Sequence, residues 1–368
     1  MRAFLFVLLF ILSHTAEAQV CTRLLREKRP SLGDLTGLFT ASLRGYLPWS
    51  IRKNAEIVAD GSGASTGISM NAQGDLNRTW IRDYSPFKSG RHFVSYVSPI
   101  TRFSRFVPQD FRRDLRSTDL ILEGGAIQYV EGDAPFLLVS EKMFGLNAKS
   151  IEDYRRELTG AKLGPSEIHR AVRNLTDAGY RARDFDGVLN ELARASEVPR
   201  ERIVVLPWMP GERTGHSDMY VGVVGKTAVV PRIPAEMIGR LGFEFERVFA
   251  TATNGFLEQI AAKLGSRGIA VERIPMLPPR NLYKSSVSPL GWDAKFPSTA
   301  NWYIDYRDAI AFVPNFQKHL GEFPEAVRLN FIAEIRETLD RLGLDTEFIE
   351  ASELLQSNGL LHCVTAEK

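Results

Sequence analysis

The sequence predicts an α/β fold assembled from repeated strand–strand–helix–strand units arranged radially or in a stack. Three observations carry that expectation. Short apolar or β-branched runs come in pairs around turn dipeptides, helical stretches follow several of these pairs, and a further β-branched run follows each helical stretch. The clearest unit is in the second half. Met219–Val224 runs apolar, Gly225-Lys226 is a tight-turn pair, and Thr227–Val230 returns as a strand. A helix is expected over Phe256–Leu264, with Thr253 or Asn254 as its cap and Gly268 as its stop, and Ile269–Ile274 is the next strand.

The same unit recurs along the chain. Asn301–Asp305 and Ala309–Val313 form a hairpin, Pro324–Leu342 carries apolar residues at helical spacing, and Thr346–Ile349 closes the unit. Earlier, Ala126–Val130 and Pro135–Val139 flank Gly132-Asp133. Two helices are expected within Pro165–Ala178 and Phe185–Ala195, and Arg202–Leu206 is the strand after them. Asp83–Phe87 and His92–Val97 flank Ser89-Gly90. Units of this kind bury their apolar faces against one another.

The beginnings of these hairpins are in register. Asp83, Gly125, Asp218 and Asn301 each lie seven residues before a turn residue, namely Gly90, Gly132, Gly225 and Asp308. A constant offset puts each at the same end of its strand pair. If the units surround an axis, Asp83, Glu123, His216, Asp218 and Asn301 converge on one mouth, and polar groups converging from separate units mark a candidate site.

Composition narrows the classes. The chain has 368 residues, 44% hydrophobic and 24% charged, with a formal net charge of +2. That is ordinary globular composition and gives no basis for a nucleic-acid partner. Arg112, Arg113 and Arg116 are interleaved with Asp110, Asp114 and Asp119, the pattern of a solvated face. At the N-terminus Arg2 precedes an apolar run from Ala3 to Leu12, and Ala16-Glu17-Ala18 ends on small residues. The run is too short to span a bilayer, so residues 1–18 are expected to be a signal peptide. Residues 19–368 then form one exported domain, with no membrane partner after cleavage.

Two cysteines occur, Cys21 and Cys363. An oxidising compartment allows a Cys21–Cys363 bridge; the functional alternative makes Cys363 a reactive thiol and Cys21 incidental. Cys363 lies in Leu360–Thr365, which reads as a short apolar strand. Thiol chemistry needs a proton shuttle, and Gly215-His216-Ser217-Asp218 supplies one, with His216 and Asp218 on one side if the segment is a strand. His362 adjoins Cys363 and would then point to the opposite face, which argues against it as the base. The acids point to the substrate. A guanidinium matches carboxylates bidentately, and an indole face suits a cation. Asp83 and Asp218 could clamp two edges of such a group, with Trp80 against its face. Glu123 stands beside Gly124 and Gly125 and could orient His216. The few His and Cys residues show no metal-ligand spacing, and no cofactor is expected.

Taken in order, Trp80-Ile81-Arg82-Asp83, Glu123-Gly124-Gly125, Gly215-His216-Ser217-Asp218, Asn301-Trp302-Tyr303 and His362-Cys363 resemble the agmatine deiminase and bacterial peptidyl-arginine deiminase family. That family belongs to the guanidino-group-modifying pentein superfamily. The resemblance covers about Asn77 to the C-terminus. It implies a five-bladed α/β propeller, Cys363 as nucleophile, His216 as acid–base group, and Asp83 and Asp218 as guanidinium clamps. Glu123 would be the carboxylate of the histidine, Asn301 a site asparagine, and Trp80 a pocket wall. Ser85 stands where the family usually has glycine, and Ser357-Asn358-Gly359-Leu360 departs from the glycine-rich run common before the cysteine.

The expected activity is hydrolysis of a guanidinium group, releasing ammonia, with a guanidinium compound as partner. Export favours arginine in peptides. Agmatine deimination and amidino transfer are the rivals within this chemistry. A non-catalytic guanidinium-binding protein and a cysteine peptidase are the rivals outside it.

Overall fold

Each turn dipeptide reverses the chain and leaves two antiparallel strands. The computed structural model describes residues 86–99, 102–105, 115–161, 163–209, 211–284, 292–306, 308–352, 355, 360 and 362. In it β1 (Phe87–Ser89) and β2 (His92–Ser98) pair around Gly90, whose φ of +61° favours glycine. The short β3 (Ser104–Arg105) and β4 (Leu115–Ile121) both pair with β2, β4 in parallel. Next come β5 (Ile127–Val130) and β6 (Phe136–Ser140), four helices, and β7 (Ile203–Leu206) parallel to β6. The third sheet joins β8 (Gly222–Val224), β9 (Thr227–Arg232) and a parallel β10 (Ala270–Pro275). The fourth is the pair β11 (Arg280–Lys284) and β12 (Trp292–Lys295). The fifth joins β13 (Tyr303–Asp305), β14 (Ile310–Asn315) and a parallel β15 (Asp345–Glu350).

A hairpin followed by a parallel strand needs a long crossover, and helices supply it in the second, third and fifth sheets. The five small sheets, four of them with one strand added in parallel to a hairpin, form a five-bladed α/β propeller. Strands β1, β5, β8 and β13 share one axial cavity of about 90 Å³, lined among others by Phe87, Gln128, Val223 and Ile304. Asp218 and His362 line it too. Lys88 and Glu131, 3.9 Å apart and both exposed, border the cavity as well. The largest apolar core among the described residues lies under helices Glu244–Ser266, packed on β9 and β10, and Glu325–Arg341, packed on β10 and β15, with Leu257, Leu264, Ile335 and Leu339 buried.

Several expectations need correction. The helix expected from Phe256 begins twelve residues earlier, at Glu244. Thr253 and Asn254 are not its caps. Thr253 Oγ1 donates to Phe249 O at 2.9 Å inside the helix, and Asn254 Oδ1 accepts from Ile233 N at 2.9 Å. The reason is the stripe Ala250, Thr253, Leu257, Ile260 and Leu264, buried at alternating spacings of three and four residues. Two helices, Lys142–Asn147 and Ile151–Gly160, precede the expected pair, which runs over Pro165–Asp177 and Phe185–Ser196. Ile151–Gly160 opens on a reciprocal cap between Ser150 and Asp153. The β11–β12 pair was not foreseen. Within the segment read as a strand over Leu360–Thr365, His362 stands in a 3-10 turn.

The expected signal peptide, Cys21, Trp80, Asp83 and Cys363 lie outside the described residues. Among the described residues no helix is long and apolar enough to cross a membrane.

Candidate active site

The segments that lead into β5, β8 and β13 end at one place. Glu123 is extended and precedes a 3-10 turn, Gly124–Ala126, that feeds β5. His216 is also extended and precedes the turn Ser217–Met219 ahead of β8. Asn301 lies two residues before β13. All are buried: Glu123 is 6% exposed, His216 4%, Asp218 1% and Asn301 0%. Four polar side chains with so little water must find their hydrogen-bond partners within the protein.

Glu123 Oε2 lies 2.6 Å from His216 Nε2. Burial opposes the charge on Glu123, but the Lys142 ammonium and the His216 contact outweigh it, and the carboxyl is held below its ordinary range. An ionised Glu123 accepts from Nε2–H. The neutral ring then carries its lone pair on Nδ1. That atom faces Gly125: a Cβ there would stand 2.6 Å from Nδ1 and 2.9 Å from Asp218 Oδ2. Glycine at 125 therefore lets the imidazole and the carboxylate lie side by side. The two were expected to share a strand face. His216 instead precedes a 3-10 turn and Asp218 lies within it, and the close approach of Gly125 leaves room for both.

His362 corrects the expectation that it points away. Strand alternation does not apply in its 3-10 turn, and its Nδ1 lies 2.8 Å from Asp218 Oδ2. Asn301 braces the same corner. Its Nδ2 donates to Asp218 O at 3.1 Å, and its Oδ1 accepts from His362 N at 2.9 Å. The residue before Cys363 is thereby fastened to the residue two after His216. Asp83 and Trp80, expected at this mouth, are not among the described residues.

Two participants left no recognisable mark in the sequence. Lys142 donates from Nζ to Glu123 Oε2 at 2.6 Å and to Thr214 O at 2.5 Å. Glu212, 3% exposed, accepts from Thr214 N, Thr214 Oγ1 and Gly215 N. Burial raises its pKa, against the charge of His216 and these hydrogen bonds. Lys142 sits at a helix start with no motif around it. The spacing of Glu212 to Gly215, an acid three residues before a glycine that adopts a φ of +69°, is the one signal that could have flagged a folded turn. Behind this turn Ala294 N donates to Gly211 O at 2.8 Å and seats β12, where burial and Arg213 bring Lys295 down to about 8.

Among the described residues no group of three or more His, Cys, Asp and Glu side chains could hold a metal ion. What the arrangement offers is a proton-exchanging imidazole with a fixed tautomer, beside a buried carboxylate that can meet a cation.

No protein-family profile and no curated protein matches the chain. Solved structures similar to it include C. jejuni agmatine deiminase, 16% identical with a TM-score of 0.47, covering 78% of this chain and 71% of that one. Another is the N-terminal domain of ArgZ, an arginine dihydrolase from cyanobacteria, 11% identical with a TM-score of 0.40, covering 86% and 84%. A third is dimethylarginine dimethylaminohydrolase, 10% identical with a TM-score of 0.34, covering 78% and 76%.

Proposed function

We propose that this chain is an exported deiminase that hydrolyses the guanidinium group of arginine, with arginine in peptides as its preferred substrate. The observation that carries this reading is the buried Glu123–His216 pair lying against Asp218, with His362, the neighbour of Cys363, on the same carboxylate. A proton shuttle and a cation-accepting acid then flank the backbone that leads into a thiol.

In the proposed reaction the guanidinium enters with Asp218 on one edge and Asp83 on the other, and Trp80 lines the pocket. The Cys363 thiolate attacks the central carbon and forms a C–S bond. The tetrahedral adduct collapses, the C–N bond breaks, and His216 Nδ1, which took up the Cys363 thiol proton as the thiolate formed, delivers that proton so that nitrogen leaves as ammonia. A thiouronium remains on Cys363. Water then adds to the same carbon as His216 Nδ1 takes its proton. The second adduct expels the thiolate and releases a ureido product. Buried acids disfavour a thiolate in the empty site, and the bound cation offsets them, so substrate promotes ionisation of its own attacker.

The test is a ureido-product assay on peptidyl-arginine, free arginine, agmatine and methylarginine, run with and without an added amine. Citrulline formed in peptides, and lost in Cys363→Ser, is the expected result. Turnover confined to agmatine would move the substrate to a small guanidine, and transfer to the amine would make the enzyme an amidinotransferase. Binding without turnover of any of the four would leave a guanidinium-binding protein and end the deiminase reading.

A further inference from the structure

Glu123 Oε2 receives two donors at the same distance, His216 Nε2 and Lys142 Nζ, each at 2.6 Å. The ammonium also holds Thr214 O, two residues before His216. Its stem fills the space a side chain at Gly215 would need: a Cβ there would meet Lys142 Cδ at 2.8 Å and the Trp208 ring at 3.1 Å. Ser140 Oγ, two residues before Lys142, donates to Gly215 O at 2.5 Å. Lys142 is thus built into the turn that carries the imidazole, and its side chain is 19% exposed.

A shuttle must release its proton as well as take it. A carboxylate alone at 2.6 Å from a buried ring favours imidazolium, because an opposite charge stabilises the charged form. His216 would then stay protonated and could not take a proton from water. The ammonium on the same oxygen cancels the carboxylate charge and repels the imidazolium, while leaving the hydrogen bond that fixes the tautomer. Among the described residues the other charged or titratable groups at this corner include Glu212 and Arg213, in the turn before His216, Asp218, and His362 on the far side of Asp218. Lys142 is the cation that bridges directly to Glu123.

We propose that Lys142 is a positioning residue for His216: it fixes the Glu123 carboxylate against the ring and keeps the imidazole able to titrate during turnover. The proposal rests on the deiminase reading for its role in catalysis, but the electrostatic coupling is a property of the folded protein and is measurable without turnover.

The experiment follows the His216 ring by NMR with labelled histidine in the full chain, across pH, in the wild type, Lys142→Met, Lys142→Arg and Glu123→Gln. Lys142→Met is expected to raise the His216 titration midpoint by about one pH unit or more, the scale of removing one charge from a partly buried site. The acidic limb of kcat for ureido formation should move up with it. Lys142→Arg keeps the charge and should restore both. Glu123→Gln should move the midpoint the other way and keeps the test open if Lys142→Met does not fold. An unchanged midpoint in folded Lys142→Met, with only a lower Tm, would reduce Lys142 to a structural tie and overturn the proposal. A rise in Glu123→Gln would overturn it as well. Absence of ureido product in the wild type would sink the deiminase reading while the NMR shifts still decide the coupling.

Discussion

At the scale of single residues, the site depends on an absence of atoms at position 125. The His216 ring is pinned from behind by Glu123 and cannot retreat from a new methyl group at Gly125 without losing that bond. Gly125→Ala should therefore displace the ring or Asp218 by a fraction of an ångström to an ångström, an error that costs about a hundredfold in rate when reacting groups are oriented. The fold should survive, at a cost of about 1–3 kcal/mol for overpacking. Steady-state kinetics with a melting curve on the same preparation tests this, and normal turnover would take Gly125 out of the argument. Asp218 and Asn301 are legible in the sequence because each lies seven residues before a turn residue, and Glu123 and His216 because they lie two residues ahead of Gly125 and Asp218, which share that offset. The sequence hid Lys142 because a lysine at a helix start is ordinary, and its two acceptors lie 19 and 72 residues away. Strand alternation does not place His362, because the backbone there makes a 3-10 turn.

At the scale of elements, the turns were read more truly than the helices. Glu244–Ser266 shows why. Thr253 and Asn254 have the residue types of a cap, yet the apolar stripe runs straight through them, and burial of that stripe decides the matter. Two substitutions separate the readings. Leu257→Ala empties a fully buried position and should cost about 2–5 kcal/mol, seen as a lower denaturant midpoint with an unchanged slope. Thr253→Ala would cost about 1 kcal/mol if Thr253 capped the helix. As an interior residue bonded back to Phe249 O it should change stability far less, since the helix ladder does not need its hydroxyl. A loss at Thr253 as large as a cap's would restore the shorter helix. The β11–β12 pair leaves a weaker mark in the sequence for a different reason: its strands bridge a register shift and are joined without a turn dipeptide of the kind between the other pairs.

At the scale of the whole molecule, repetition made a radial or stacked arrangement legible, because the second, third and fifth units each join a hairpin to an apolar crossover helix that no unit can bury alone. The same architecture sets where the site's parts come from. Glu123 and His216 are separated by 93 residues, and Asp218 and His362 by 144. The blades are largely local, whereas the contacts that assemble the mouth are among the longest loops the chain must close. This has a kinetic consequence. Closing long loops is entropically costly and late, so helices and hairpins should recover first during refolding and the mouth last. Far-ultraviolet circular dichroism should regain its native value while ureido-forming activity still lags, and the lag should lengthen in Asn301→Ala, which removes the brace between residues 218 and 362. Coincident recovery of both signals would mean that the mouth forms with the blades. If the lag is found, the refolding chain passes through a folded but inert stage, and the contact of His362 with Asn301 and Asp218 acts as the clasp that switches the chemistry on.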